Sequence, residues 1–278
     1  MVWRLFRLYG RETSKKSLRP SAACTPGSRK KRDMPKPLRP APVSNHPSPE
    51  NRELAGIIRK LGKLLQSDPR IDWRENRKRC NEVLLAFAAT CEKSRALSRR
   101  LAGAPTEVGG SEHVLIKLQD DPCRIYKTTF GDNFGCRSEL FRVDPDQMGH
   151  HFHATGNADP VFYLRRWFRL NSIGFYQTRY EGIIPAEIEG HLPRICVSQP
   201  VLIGSNPDEA EIEAAMLPYG FGKIAKDAFL NVGTRVLLTD AAPRNVRVLN
   251  GIPIPFDAIA EVPSNSVLQW ARSESAEK

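Results

Sequence analysis

The stretch VLLTDAAPRNVRVLNGIPIPFD, residues 236–257, leaves the chain few ways to fold. The aliphatic and β-branched run Arg235–Thr239 reads as a strand that ends at Asp240. Pro243 stops regular pairing, and Asn245 follows with the spacing D-x-x-x-x-N. Val246–Leu249 and Ile252–Phe256 flank Asn250-Gly251, a pair favoured in two-residue type I′ turns because both residues accept positive φ at low cost. A hairpin of that size returns Asp257 to the loop that holds Asp240 and Asn245. Two carboxylates and an amide then meet at one end of a small sheet, a set of hard oxygens suited to magnesium and phosphoryl transfer. Ordinary turn chemistry is the competing explanation, since Asp and Asn beside Pro are common in turns.

Two upstream features bear on that choice. Gly109-Gly110 precede an apolar run, His113–Leu118, and Gly109–Ser111 is expected to make a tight turn between strands. Without a Cβ, its amides could approach phosphates, although an ordinary hairpin explains the glycines equally well. Lys127 lies in RIYKTT and shares a strand face with Ile125. A lysine on the inner face of a strand is costly to desolvate unless an anion meets it.

Taken in order, GGSEHVLIKL, RIYKTT with FGDNFG, FYLRRWFRLNSIGF, EGI, VSQPVLIG, YGFGKI and TDAAPRNVRVLNGIPIPFD resemble the kinase domain of bacterial polyvalent proteins of phages and conjugative elements, across residues 107–262. The resemblance implies an α+β, minimal protein-kinase-like fold with two lobes, 105–200 and 201–270, and magnesium-ATP in the cleft between them. It further implies that Gly109 and Gly110 approach the phosphates and that Lys127 contacts them. Gln199 and Val201 would stand at the adenine hinge, Asn245 and Asp257 would hold magnesium, and Asp240 would face a Ser, Thr, Tyr or small-molecule hydroxyl. The sequence departs from the family in several places. Leu238-Thr239-Asp240 lacks the usual His-Arg, and Phe256-Asp257-Ala258 lacks the following Phe-Gly. The helix expected over Asp159–Leu170 carries no acid to pair with Lys127, which leaves Glu139, Asp257 or the nucleotide itself. Only 21 residues follow Asp257, little room for an activation segment. A pseudokinase or nucleotide-sensing module is therefore an alternative reading, and a nucleic-acid-associated protein that binds through the basic segments 1–101, with the C-terminal domain as scaffold, is another.

Net charge separates the chain further. Of the total of +11, residues 1–40 carry +10 and 41–101 carry +6, so 102–278 carry −5. Residues 1–48 are rich in Arg, Lys, Pro and Ser without hydrophobic period, and are expected to be a disordered tail. A nucleic-acid arm, an organelle presequence, or a chain that starts at Met34 would each account for them. Residues 49–104 are expected to form a helical extension. Its first helix begins with Ser48 as N-cap and Pro49, and a second runs over 72–101 as the other arm of a hairpin. An acidic helix is expected over Pro207–Leu217, ended at Gly220, and a tail over 271–278. The cluster His150, His151 and His153 reads as a polar loop rather than a metal site. Six cysteines without C-x-x-C spacing point to reduced thiols in a cytoplasmic protein, and no apolar run is long enough to span a membrane.

Overall fold

Local signals at the helix starts behave as their chemistry dictates. In the computed structural model, which describes residues 48–65, 73–109, 112–130, 134–142, 150–155, 158–174, 177–185, 193–203 and 206–276, Ser48 Oγ accepts from the Asn51 amide at 3.2 Å and opens α1 (Pro49–Leu64). The basic segment 1–47 lies outside the described residues, as does Gly110. The single helix expected over 72–101 is two, α2 (Trp73–Thr90) and α3 (Glu92–Leu101). Cys91, with extended backbone at φ −94°, ends one and caps the other. This helical region does not stand apart from the rest. Leu54, Leu61 and Leu84 are fully buried in the same core as Trp167, and Ser94 Oγ accepts from the Ile183 amide at 3.0 Å.

The first sheet holds β1 (Thr106–Gly109), β2 (His113–Lys117), β3 (Arg124–Thr129), β6 (Arg179–Ile184) and β7 (Arg194–Pro200), in the order β1-β2-β3-β7-β6 and antiparallel throughout. Between β3 and β6 the chain makes a ribbon, β4 (Arg137–Arg142) with β5 (His150–Thr155), and then α4 (Pro160–Ser172). The histidine cluster thus forms a strand, not the expected loop, since its backbone groups pair with β4. Asp159 caps α4 by accepting from the Phe162 amide at 2.7 Å. Tyr163, Leu164, Trp167 and Leu170 recur at helical spacing on its buried face.

A second set of elements follows. Asp208 and Glu211 form a capping box for α5 (Glu209–Met216), which is shorter than the expected 207–217: the Asp208 cap sets its start, and at its end Leu217–Tyr219 tightens into a 3₁₀ turn. Gly220, at φ 76°, closes it. Then come β8 (Gly222–Ala225), β9 (Ala228–Asn231), β10 (Val236–Thr239), the hairpin β11 (Arg247–Leu249) and β12 (Ile252–Ile254), β13 (Ile259–Glu261) and α6 (Asn265–Ala276). The sheet order is β13-β10-β9-β8. Residues 271–276, expected as tail, are helical because Val267 and Ala271 bury one face of α6 against Leu230 and Leu237. The protein is thus a mixed α+β structure built largely on antiparallel sheets. Trp167, Tyr163, Leu238, Val246 and Ala258 share one continuous core, which joins the two sets of elements.

Candidate functional site

The 236–257 segment closes on itself as its residue types require. Leu249 pairs with Ile252 around Asn250 and Gly251, both at positive φ (54° and 76°), as a type I′ turn demands. β13 then pairs with β10, Thr239 opposite Ile259, which returns Asp257 to the end of β10. Asn245 Nδ2 donates to the Asp240 carbonyl at 2.8 Å, and the Asp257 amide donates to the Asn245 carbonyl at 3.3 Å. Asp240 itself takes φ 51°, a conformation that is uncommon outside glycine and concentrates at sites that need it. Its carboxylate accepts from Arg244 Nη2 at 2.5 Å.

Asp240, Asn245 and Asp257 line a cleft of about 810 Å³ together with Gly109, Lys127, Gln199 and Val201, and Leu115, Leu118, Ile125 and Leu202 supply apolar wall. The individual placements add three details. A Cβ on Gly109 would lie 2.4 Å from the Leu115 side chain, so cross-strand packing favours glycine here. The Val201 amide is no open hinge donor: it donates to the Cys123 carbonyl at 2.8 Å. Gln199 matters through its side chain, whose Nε2 donates to Thr178 Oγ1 at 3.0 Å and to the Phe256 carbonyl at 3.1 Å.

Lys127 is buried and meets its anion. Its Nζ lies 2.8 Å from Asp257 Oδ1 and 3.1 Å from the Phe256 carbonyl. Of the acids the sequence offered, Asp257 holds the lysine, while Glu139 is exposed on β4. Burial pulls the Lys127 pKa down, and Asp257 opposes that pull. Burial would raise the Asp257 carboxyl, but Lys127, His113 and Arg166 outweigh it and hold the group well below the usual carboxylate range. Asp240 moves the other way: burial raises its pKa, with Arg244 opposing.

Arg166, 1 % exposed on α4, completes the cluster. Its Nη1 donates to Glu112 Oε2 at 2.7 Å, its Nη2 to the Asp257 carbonyl at 2.5 Å and its Nε to the Ala258 carbonyl at 2.8 Å. Beside it His113 is fully buried, with Nε2 3.1 Å from Tyr163 Oη and Nδ1 without a hydrogen-bond partner among the described residues. Burial lowers the His113 pKa to about 4, so the ring is neutral at pH 7. Glu112, His113 and Asp257 bring three ligand-type atoms within 4.8 Å of one another. A metal held by all three fits poorly, because both Glu112 oxygens are already taken, Oε2 by Arg166 and Oε1 by the Cys136 amide. For magnesium, the oxygens of Asn245 and Asp257 are a suitable hard donor pair on the cleft wall, and the depressed Asp257 pKa keeps its carboxylate ionised.

Arg166, Glu112 and His113 escaped the sequence reading. A signal for Arg166 was present: it falls three residues after Tyr163 and four before Leu170, inside the apolar stripe, where an arginine needs partners. Glu112 had no comparable signal. No family model, curated protein or solved structure matches the chain.

Proposed function

We propose that the cleft binds magnesium-ATP and that the protein is a kinase-like phosphotransferase, with residues 105–200 and 201–270 as its two lobes. The observation that carries this reading is the Lys127–Asp257 ion pair at 2.8 Å, in a cleft that Asp240 and Asn245 also line. A buried lysine, an ionised aspartate and an amide at one cleft wall match the requirements of phosphoryl transfer, where positioning and charge do most of the catalysis. Bound there, magnesium-ATP would supply the phosphoryl group and the metal's neutralising charge. Asn245 and Asp257 would hold the metal, and Lys127 would hold phosphate oxygens in place of its present partner. Asp240 would accept the proton of the acceptor hydroxyl; its raised pKa makes it a better base than an exposed aspartate. The acceptor oxygen would bond the terminal phosphorus as that proton leaves, and the bond from this phosphorus to the bridging oxygen would break, with ADP as the leaving group.

A nucleotide-sensing module that transfers nothing is the second reading, favoured by the Arg244 guanidinium bound to the Asp240 carboxylate. Thermal melting of the full chain with magnesium-ATP tests the binding that both readings share. Ligand at a hundred times its dissociation constant adds about 2.7 kcal/mol, which raises the melting temperature by roughly 5–10 °C in a chain of this size. The expected rise depends on magnesium and disappears in Lys127→Ala and Asp257→Ala. A folded protein with no shift at millimolar nucleotide overturns both readings. Transfer of labelled phosphate to any acceptor, lost in Asp240→Asn, separates them.

A further inference from the structure

The polar centre of this molecule is organised from a helix that presents a cation. Arg166 uses three nitrogens to reach three separate carbonyl or carboxylate oxygens, while its guanidinium lies over the Trp167 ring, 4.8 Å from the centroid. A guanidinium this deeply buried is tolerated only when its planar fork finds acceptors in fixed directions. Its acceptors belong to two distant parts of the chain. One is Glu112, in the connection between β1 and β2, whose other oxygen accepts from the Cys136 amide at 2.6 Å. The others are the carbonyls of Asp257 and Ala258.

The effect on Asp257 follows from the sequence of capped carbonyls. Phe256 O accepts from Lys127 and from Gln199, Asp257 O from Arg166 Nη2, and Ala258 O from Arg166 Nε. Three successive peptide groups are thereby held by buried side chains, two of them by Arg166. The Asp257 side chain has little freedom to turn away from the cleft while these bonds persist. Arg166 Nη2 also stands 3.7 Å from Asp257 Oδ1, close enough to orient the carboxylate without taking its nearer contact from Lys127.

We propose that Arg166 is a positioning residue for the metal-binding carboxylate, and that it ties Glu112, the residue before β2, to Asp257, so that α4 assembles the site with an arginine instead of an acid directed at Lys127. This rests on the magnesium-nucleotide reading of the cleft. The Asp257 carboxylate is then held toward the cleft by contacts that α4 makes through Arg166.

The test uses the full chain and a non-hydrolysable β,γ-imido analogue of ATP, with magnesium titrated at saturating analogue and the melting temperature as readout. If the unmodified protein shows no magnesium-dependent rise, the reading of the cleft fails before Arg166 enters. Where the rise is present, Arg166→Lys, which keeps a charge and loses the fork, is expected to shift the magnesium midpoint upward at least tenfold. Glu112→Gln, which keeps the shape and loses the ion pair, is expected to shift it by a smaller factor in the same direction. In both, the midpoint for the analogue at saturating magnesium stays within about twofold, a split that a general loss of stability does not produce. Midpoints for magnesium equal to the unmodified protein's in folded Arg166→Lys and Glu112→Gln overturn the proposal, as does an equal loss for metal and analogue. Should Arg166→Lys fail to fold, Glu112→Gln decides by the same criterion.

Discussion

The two halves of the cleft are built by different means. The side formed by β2, β3 and β7 is regular structure, and the two cations of the cluster, Lys127 on β3 and Arg166 on α4, are buried on regular elements. The opposite side is made of short strands and turns. It holds Asp240, Asn245 and Asp257, and all four non-glycine residues of positive φ among those described: Asp227, Arg235, Asp240 and Asn250. Rigid elements position side chains to within small tolerances, whereas turns expose backbone and short polar side chains to a ligand. Here the cations come from the rigid side and reach across to clamp the carbonyls of the turn side. The acids gain definite positions without belonging to long strands.

The comparison is sharpened most by Asp240→Asn. On the phosphotransferase reading, turnover in a labelled-ATP assay falls by about 10²–10⁴, the range for losing a general base. Melting temperature stays level or rises slightly, because burial already disfavours the Asp240 charge. An equal loss of nucleotide binding would move this residue from the chemistry to the binding set. On the rigid side, Trp167→Ala is expected to cost about 3–5 kcal/mol in urea unfolding, as a fully buried aromatic does. It should also abolish the nucleotide-dependent shift, since Trp167 lies under both Arg166 and Lys127. A variant that keeps the shift would show that the cations hold position without the helix core.

Acid stability probes the join between the halves. His113 is neutral and buried when folded, with a pKa lowered from 6.5 to about 4, so the unfolded chain binds its proton first as pH falls. Its contribution is therefore full above pH 6.5 and declines through the interval down to pH 4. His113→Gln should remove that slope, a difference of roughly 2–3 kcal/mol between neutral pH and pH 4. Urea midpoints measured at pH 7.5, 5.5 and 4 would reveal it; parallel curves for the two proteins would place a charged histidine in the fold. The smallest effect is expected at Gly251→Ala on the turn side. Gly251 has φ 76° and nothing within 4 Å of an added Cβ, so only backbone strain of about 1 kcal/mol remains. A larger loss by calorimetry would mean that the hairpin supports more of the site than its own turn.

What could be read along the chain was local. Asp159 and Ser48 declared their helices, Asn250-Gly251 its hairpin, and the D-x-x-x-x-N spacing its loop, because caps and turns depend on residues three to five apart. The return of Asp257 toward Asp240 was legible for the same reason. Partners far apart were not. Lys127 and Asp257 are separated by 130 positions and Arg166 and Glu112 by 54, and no periodicity links them. Cys91 breaks a pattern that reads as one helix, and an added Cβ at Gly109 would meet Leu115 on the neighbouring strand. Packing selected which of several acids met the buried lysine: desolvation makes an unpaired charge expensive, and only the folded chain determines which carboxylate arrives within 3 Å.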